Sequence, residues 1–124
     1  MEIPLHDPRL ILNGFYLTHG HHEFGSEEVG GRHILMGNEH PAVVVKDDVG
    51  IKHRFKAFVS GRLSPYIVTV LPSVSPLAYR SDINEVPQRD LLSPMLKKHL
   101  LDKLTPYMIE IGVAVRRFPK LKYL

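Results

Sequence analysis

Apolar residues in this chain occur in short runs separated by turn-forming residues, a pattern typical of β-strands. Two turn signals, Asn13-Gly14 and residues 47–50, each lie between apolar segments and predict β-hairpins. The run at residues 66–71 is almost entirely apolar, which predicts a strand buried on both faces. In full, the pattern predicts strands at residues 9–17, 33–36, 42–45, 51–59, 66–71, 108–111 and 113–115.

One segment near the C-terminus has the periodicity of a helix instead. Ser93 is a natural N-cap, and Pro94 suits the first helical position. The leucines that follow recur four residues apart and share one helical face: Leu96, Leu100 and Leu104. A Thr-Pro pair directly after them ends the predicted helix. Upstream, residues 71–87 contain three prolines and predict a long loop.

These elements predict an α+β fold that is mostly β, with one C-terminal helix and a single domain over residues 1–124. A chain of this length can bury one hydrophobic core. Parallel α/β packing is not expected, because the helices that would connect parallel strands are missing from the pattern.

Composition narrows the chemistry that is open to the chain. It has no cysteine, which excludes disulfides and thiolate metal sites, so any metal must bind imidazole, carboxylate, amide or water. The N-terminus mixes apolar and charged residues and predicts no signal peptide. The apolar runs are too short to span a membrane. A soluble, cytoplasmic protein is therefore expected.

The net charge of +3 is a mild excess that is partly concentrated at the C-terminus. Four cations lie in the last nine residues without an acidic residue among them: Arg116, Arg117, Lys120 and Lys122. Such a segment can attract phosphates of a nucleic acid or of a substrate. A solvated terminus is the preferred interpretation, and nucleic-acid binding is the weakest of the functions considered.

Histidines are the most informative residues for chemistry, since five of the eight lie between positions 19 and 40. His19, His21 and His22 follow one apolar run, and His40 follows another. Histidines presented at strand ends are common metal ligands. His19, His21 and His40 can therefore bring two or three nitrogens to one metal. The alternative is a set of hydrogen-bonded histidines, and it is preferred for the isolated ones: His33, His53 and His99.

The same two segments carry a resemblance to a known family. Leu-Thr-His-Gly-His at 17–21, followed by Ile-Leu-Met-Gly-Asn-Glu-His-Pro-Ala-Val at 34–43, resembles the last two motifs of the calcineurin-like metallophosphoesterases. The most similar branch is the prokaryotic, largely archaeal group of phosphoesterases related to the Icc phosphodiesterase. The likeness extends over residues 9–120 through four further segments: Gly61-Arg62, residues 68–72 with Pro76-Leu77, residues 82–84 and residues 92–94.

This resemblance implies a fold and a reaction. Family members are sandwiches of two sheets flanked by helices, and their C-terminal half supplies mainly one sheet. Two divalent ions clamp the phosphoester and activate a hydroxide for in-line attack. The metal ligands would be His19, His40 and Asn38, where Asn38 stands in place of a family histidine. An amide oxygen is a weaker donor than imidazole for the softer metals, and Mn, Fe, Zn and Ni are not distinguished.

The motifs of the family's N-terminal half do not occur in this sequence. These are Asp-x-His, Gly-Asp-x-x-Asp and Gly-Asn-His, which provide the bridging carboxylate, an asparagine ligand and the histidine that assists the leaving group. The resemblance therefore implies the C-terminal half of a phosphoester hydrolase, expected to be inactive alone, and no catalytic residue is assigned. The alternative is a degenerate, non-catalytic oligomerisation or interaction module with the same fold.

A lone half would leave one apolar sheet face uncovered, which a monomer rarely tolerates. The expected partners are therefore a second copy of the chain or a separate chain with the N-terminal half, besides a phosphoester substrate.

Overall fold

The computed structural model describes residues 9–75, 81–110 and 112–124, and these residues form mainly β-strands. The strands, in chain order, are β1 (Arg9–Leu12), β2 (Phe15–Thr18), β3 (His33–Met36), β4 (Pro41–Lys46), β5 (Lys52–Leu63), β6 (Tyr66–Val70), β7 (Ser81–Asp82), β8 (Thr105–Glu110) and β9 (Ala114–Arg117). Two helices of one turn, α1 (Ser26–Val29) and α2 (Pro94–Lys97), and two 3-10 turns (Gln88–Asp90 and Leu121–Tyr123) accompany them. Among the described residues, no helix has the length and apolar character to cross a membrane.

All nine strands belong to one mixed sheet. Its main path runs β1-β2-β3-β6-β5-β4-β7, while β8 pairs with β5 and β9 pairs with β8. Both predicted hairpins are confirmed: β1 pairs antiparallel with β2 around Asn13-Gly14, and β4 pairs antiparallel with β5. The mostly β character is confirmed as well.

Parallel pairing at the centre of the sheet differs from expectation. β2 pairs parallel with β3, and β3 pairs parallel with β6. Between β2 and β3, the described chain contains only the single helical turn of α1. A short connection of this kind carries no helical periodicity, so the pattern of the sequence does not reveal the parallel pair.

The predicted C-terminal helix is wrong in its extent. α2 begins after Ser93 as expected but ends at Lys97. Leu100, which the helical pattern assigned to the apolar face, is 73% exposed. Pro106 does not terminate a helix but lies within β8, directly opposite Val59 of β5. The leucine spacing therefore reflects two separate packing sites, because Leu96 and Leu104 are both fully buried.

One face of the sheet holds the core. Alternate residues of the strands point to this side, and α2 packs its buried Met95 and Leu96 into the same cluster. The largest completely buried side chains contributed by the strands are Tyr16, Ile34, Met36, Val43, Val59, Val68, Val70 and Met108.

The opposite face is apolar but only partly covered among the described residues. Register pairs the residues of this face across the strands: Phe15 with His33, His33 with Ile67, and Phe58 with Tyr107. Ile67 is 40% exposed and Phe15 is 38% exposed. We call this surface the open face. Its apolar members are Phe15, Leu17, Leu35, Phe58, Ile67, Tyr107, Ile109 and Val115.

Tyr16 is buried in the core, and its hydroxyl group makes the stability of the fold depend on pH in the alkaline range. Its hydroxyl donates a hydrogen bond of 2.8 Å to Glu28, which also pairs with Arg9. Burial, followed by the bond to Glu28, raises the pKa of Tyr16 to about 12. The unfolded phenol loses its proton near pH ~10. Stability is therefore fully present below about pH 10 and falls as pH rises toward 12.

We expect Tyr16→Phe to lose this pH dependence. Between pH 9 and 11.5, the wild-type chain should lose about 2 kcal/mol more unfolding free energy than the variant. The variant starts lower at pH 9, because the hydrogen bond to Glu28 is gone. Urea unfolding of both proteins at the two pH values measures the difference. An equal loss in both would show that Tyr16 is not the group responsible.

Candidate metal centre

The carboxyl ends of three strands meet at one edge of the sheet. Thr18 at the end of β2 lies opposite Met36 at the end of β3, which in turn lies opposite Val70 at the end of β6. The backbone N–H of Leu71 donates to the Met36 carbonyl at 2.8 Å, which ties the last two ends together. The loops that follow these strands therefore start side by side, an arrangement that favours binding sites in sheets with parallel strands.

The loops after β2 and β3 contact each other. Gly20 has φ +99°, and a Cβ at that position would lie 2.7 Å from Cε of Met36. A Cβ on Gly37 would lie 3.8 Å from the carbonyl oxygen of His19. Only glycine at position 20 allows both the backbone conformation and the close approach. The two histidine-bearing loops are thus packed against one another.

His19 and His21 lie together on the exposed side of this edge. Their Nδ1 atoms are 2.9 Å apart, so as a hydrogen bond one nitrogen carries the proton and the other accepts it. Two imidazole nitrogens bound to one tetrahedral zinc, each ~2.05 Å from it, lie about 3.3 Å apart. The two rings therefore have the spacing of a hydrogen-bonded pair and would have to separate slightly to bind one zinc ion. The ring of His22 lies tilted against that of His21, with centroids 3.9 Å apart and an angle of 45° between the planes.

Asn38 and His40 lie in the sharp turn between β3 and β4. Both are half-buried and have left-handed backbones, with φ +63° and +51°, which Asn and His adopt more readily than most residues. Glu39 between them donates its N–H to the Gly37 carbonyl at 2.7 Å. The turn therefore begins at Gly37, beside the His19 backbone, but the structure does not arrange His19, His21 and His40 as a metal-holding group.

Glu39 is the structural centre of this turn. Its side chain is completely buried. One carboxylate oxygen accepts the N–H groups of Leu92 (2.9 Å) and Ser93 (3.1 Å), and the other accepts the Ser81 hydroxyl. The carboxylate is therefore engaged inside the protein and fixes the turn to β7 and to the start of α2. Sequence reasoning missed it, because a single glutamate shows nothing of partners 42 to 54 positions away.

Ser93 is the N-cap residue of α2, as predicted, but without the side-chain bond that such a residue usually makes. Within the described residues, its hydroxyl is buried without a hydrogen-bond partner. The Glu39 carboxylate accepts the backbone N–H of Ser93, which connects the start of α2 to the β3–β4 turn.

The isolated histidines have ordinary partners, as predicted. His33 Nε2 is 2.8 Å from the Thr69 hydroxyl, and His99 Nδ1 donates to the Met95 carbonyl at 2.8 Å. His53 pairs with Asp47 at 2.9 Å. The hydrogen bond from His53, followed by the N–H of Ile51, lowers the pKa of Asp47.

The donor set at the edge consists of imidazole and amide groups. His19, His21 and His40, with the Asn38 amide, come from two contacting loops. Among the described residues, no group of three or more His, Cys, Asp or Glu side chains is arranged to hold a metal ion. His6 and Asp7, Pro76-Leu77 and Ile111 lie outside the described residues. Within residues 9–75, 81–110 and 112–124, the donors that the two histidine loops present are therefore imidazole and amide groups.

No protein-family model, no curated protein and no solved structure matches this chain. The likeness to the calcineurin-like metallophosphoesterases consequently rests on the sequence motifs, and the geometry of the edge has to be judged by itself.

Proposed function

We propose that this chain forms the C-terminal half of a metal-dependent phosphoester hydrolase of the calcineurin-like type. The observation that carries the proposal is the contact between the His19 loop and the turn of Asn38 and His40, at the ends of adjacent parallel strands. In this proposal, the three residues are metal ligands and the substrate is a phosphoester. We also place the protein in the cytoplasm, since a chain without cysteine suits a reducing compartment.

The donors at the edge fit a divalent metal in part. Imidazole suits Zn, Mn, Fe and Ni, and the Asn38 amide oxygen suits the harder of these. When bound, such ions hold the phosphate oxygens and lower the pKa of a bound water. Glu39 is not available as a carboxylate ligand, because Leu92, Ser93 and Ser81 already occupy its oxygens. We therefore propose that the missing carboxylates come from a further polypeptide segment.

The open face supports the same proposal. The open face presents partly exposed apolar residues beside polar ones such as His33 and Thr69, and apolar surface of this kind marks sites where other proteins pack. A segment with the family's N-terminal motifs would cover this face as the second sheet of a sandwich and supply the carboxylates. A second copy of this chain would cover the face without supplying them, since its sequence has none of the three motifs.

Hydrolysis of bis-p-nitrophenyl phosphate with Mn²⁺ tests the proposal. We expect no hydrolysis above buffer for the chain alone, and clear hydrolysis after mixing with a polypeptide that carries Asp-x-His, Gly-Asp-x-x-Asp and Gly-Asn-His. His40→Ala should abolish the activity of the mixture, and Ile67→Lys on the open face should prevent its assembly. Activity that persists in both His19→Ala and His40→Ala would place the reaction elsewhere.

A non-catalytic interaction module is the second candidate function. The observations that favour it are Asn38 in place of a histidine and the lack, among the described residues, of a three-residue metal cluster. Light scattering and metal analysis of the purified mixture separate the two functions. A stable complex that binds no metal and hydrolyses nothing supports the interaction module, and a metal-loaded active complex supports the hydrolase.

A further inference from the structure

A second cavity lies at the end of the sheet away from the histidines. It has a volume of about 610 Å³, within the range typical of small-molecule sites. Its polar side chains come from the β5–β6 hairpin, from the turn before β8 and from the C-terminal segment: Arg62, Ser64, His99, Asp102, Lys103 and Lys120. We call this cavity the basal cleft.

The basal cleft is separate from the candidate metal centre. It is lined by residues 61–64, where β5 ends and the turn to β6 begins. The histidine loops lie instead beside Val70, at the far end of β6. Tyr66 and Val70 are four positions apart along the strand, a span of about 13 Å at ~3.3 Å per residue. A ligand in the cleft would therefore use residues other than His19, Asn38 and His40, although Glu23 of the β2–β3 loop reaches Lys98, next to His99.

Positive charge in the basal cleft is not neutralised within the protein. Arg62, Lys103 and Lys120 come from three separate segments and face one cavity with a single carboxylate, Asp102. In the part of the chain that the structure describes, none of these three cations forms an ion pair. Some cations outside the cleft do have partners: Arg54 binds both oxygens of Asp82, and Lys98 pairs with Glu23. Converging unpaired cations attract an anion.

The walls of the cleft indicate the shape of that anion. Ser64 adds a hydroxyl, and His99 is held in place because its Nδ1 donates to the Met95 carbonyl. Leu100, at 73% exposure, provides an apolar rim against which an uncharged part of a ligand can lie. The three cations line one cavity of about 610 Å³. This arrangement suits a compact ligand better than the continuous backbone of a nucleic acid.

We propose that the basal cleft binds a small molecule with two or more linked phosphate groups. Arg62 can bind phosphate oxygens in a bidentate manner, and the two lysines act as point charges on the remaining oxygens. This site uses none of the proposed metal ligands and requires no partner chain, and its Arg62 lies opposite Ile67 at the border of the open face.

Calorimetric titration of the full chain with inorganic tripolyphosphate, in the presence of EDTA, tests the proposal. EDTA removes the metal ions that tripolyphosphate would otherwise bridge at the histidine edge. We expect saturable binding of one equivalent. Arg62→Gln and Lys103→Gln should each weaken binding about tenfold, the value of a charge-assisted contact. His40→Ala should bind like the wild type, so the result does not depend on the candidate metal centre.

Matched controls remove the same charges elsewhere on the surface. Arg89→Gln and Lys46→Gln change exposed residues outside the cleft and should leave the affinity unchanged. If cleft and control variants lost the same amount of affinity, the anion would bind through the overall positive charge of the protein, and the proposal would be overturned. Absence of saturable binding would overturn it too. If the chain bound duplex DNA more tightly than tripolyphosphate, and the same cleft variants lost that binding, the ligand of the cleft would be a nucleic acid and not a small molecule.

Discussion

Replacing Glu39 by alanine should cost about 3–5 kcal/mol of unfolding free energy, among the largest losses expected for one substitution in this chain. The side chain is fully buried, and its removal leaves the N–H groups of Leu92 and Ser93 and the Ser81 hydroxyl without their acceptor. Each buried donor without an acceptor costs about 1–3 kcal/mol. The β3–β4 turn would also lose its connection to β7 and α2.

Two further variants isolate the cause. Glu39→Gln keeps one oxygen to accept the backbone N–H groups and should cost about 1–2 kcal/mol. Glu23→Ala removes an exposed carboxylate that pairs with Lys98, so its unfolding free energy should match the wild type. Urea denaturation measures all three. If Glu39→Ala were as stable as the wild type, the turn that presents Asn38 and His40 would not depend on this carboxylate.

Removal of either candidate ligand should produce the second large effect. We expect His19→Ala and His40→Ala each to weaken Mn²⁺ or Zn²⁺ binding at least about 100-fold, since loss of a supporting residue around a metal site already costs 10–100-fold. Calorimetric titration gives the affinities, and His53→Ala, which changes an exposed histidine paired with Asp47, is the control. Equal affinity in all four proteins would place the metal elsewhere.

We expect Asn38→His to have the opposite effect and to strengthen metal binding. Imidazole is a better donor than an amide for zinc, so the variant should bind Zn²⁺ about tenfold more tightly. Histidine adopts the left-handed backbone of this position readily, which limits the loss of stability.

The variant His21→Ala tests whether His19 and His21, whose Nδ1 atoms are 2.9 Å apart, bind the same metal ion. A loss equal to that of His19→Ala would show that both rings bind one metal.

Local signals account for the parts of the fold that the sequence predicts correctly. Asn13-Gly14 is sufficient for the β1–β2 hairpin, because both residues have the positive φ angles that such a turn requires. The β-branched run of β4 and the alternation of β5 likewise predict the second hairpin, and β3 has the predicted bounds. In each case the information lies within about a dozen residues.

Features that depend on distant residues are not predictable in this way. The helix expected to reach Leu104 stops at Lys97, because Leu104 is needed in the core beside β5 and not on a helical face. The short strand β7 pairs with β4 across some forty positions of sequence and has no pattern of its own. Tertiary packing overrides local propensity at both places.

In the candidate site too, local features are visible in the sequence while contacts between distant residues are not. The His-Gly-His segment and the Gly-Asn-Glu-His turn are visible in the sequence, and their similarity to a known family predicted that they belong together. The contact of Gly20 with Met36 requires the parallel pairing of β2 and β3, which the sequence pattern did not reveal. The supporting role of Glu39 became apparent only from its burial and its three donors.

The most direct test of the metal centre is a ¹H–¹⁵N spectrum of the histidine side chains during titration with Zn²⁺. With one equivalent of metal, the ring nitrogens of His19 and His40 should shift together, while those of His33, His53 and His99 keep their positions. A spectrum in which neither His19 nor His40 responds, or in which only His21 and His22 shift, would contradict the assignment of this edge as the metal centre of a phosphoester hydrolase.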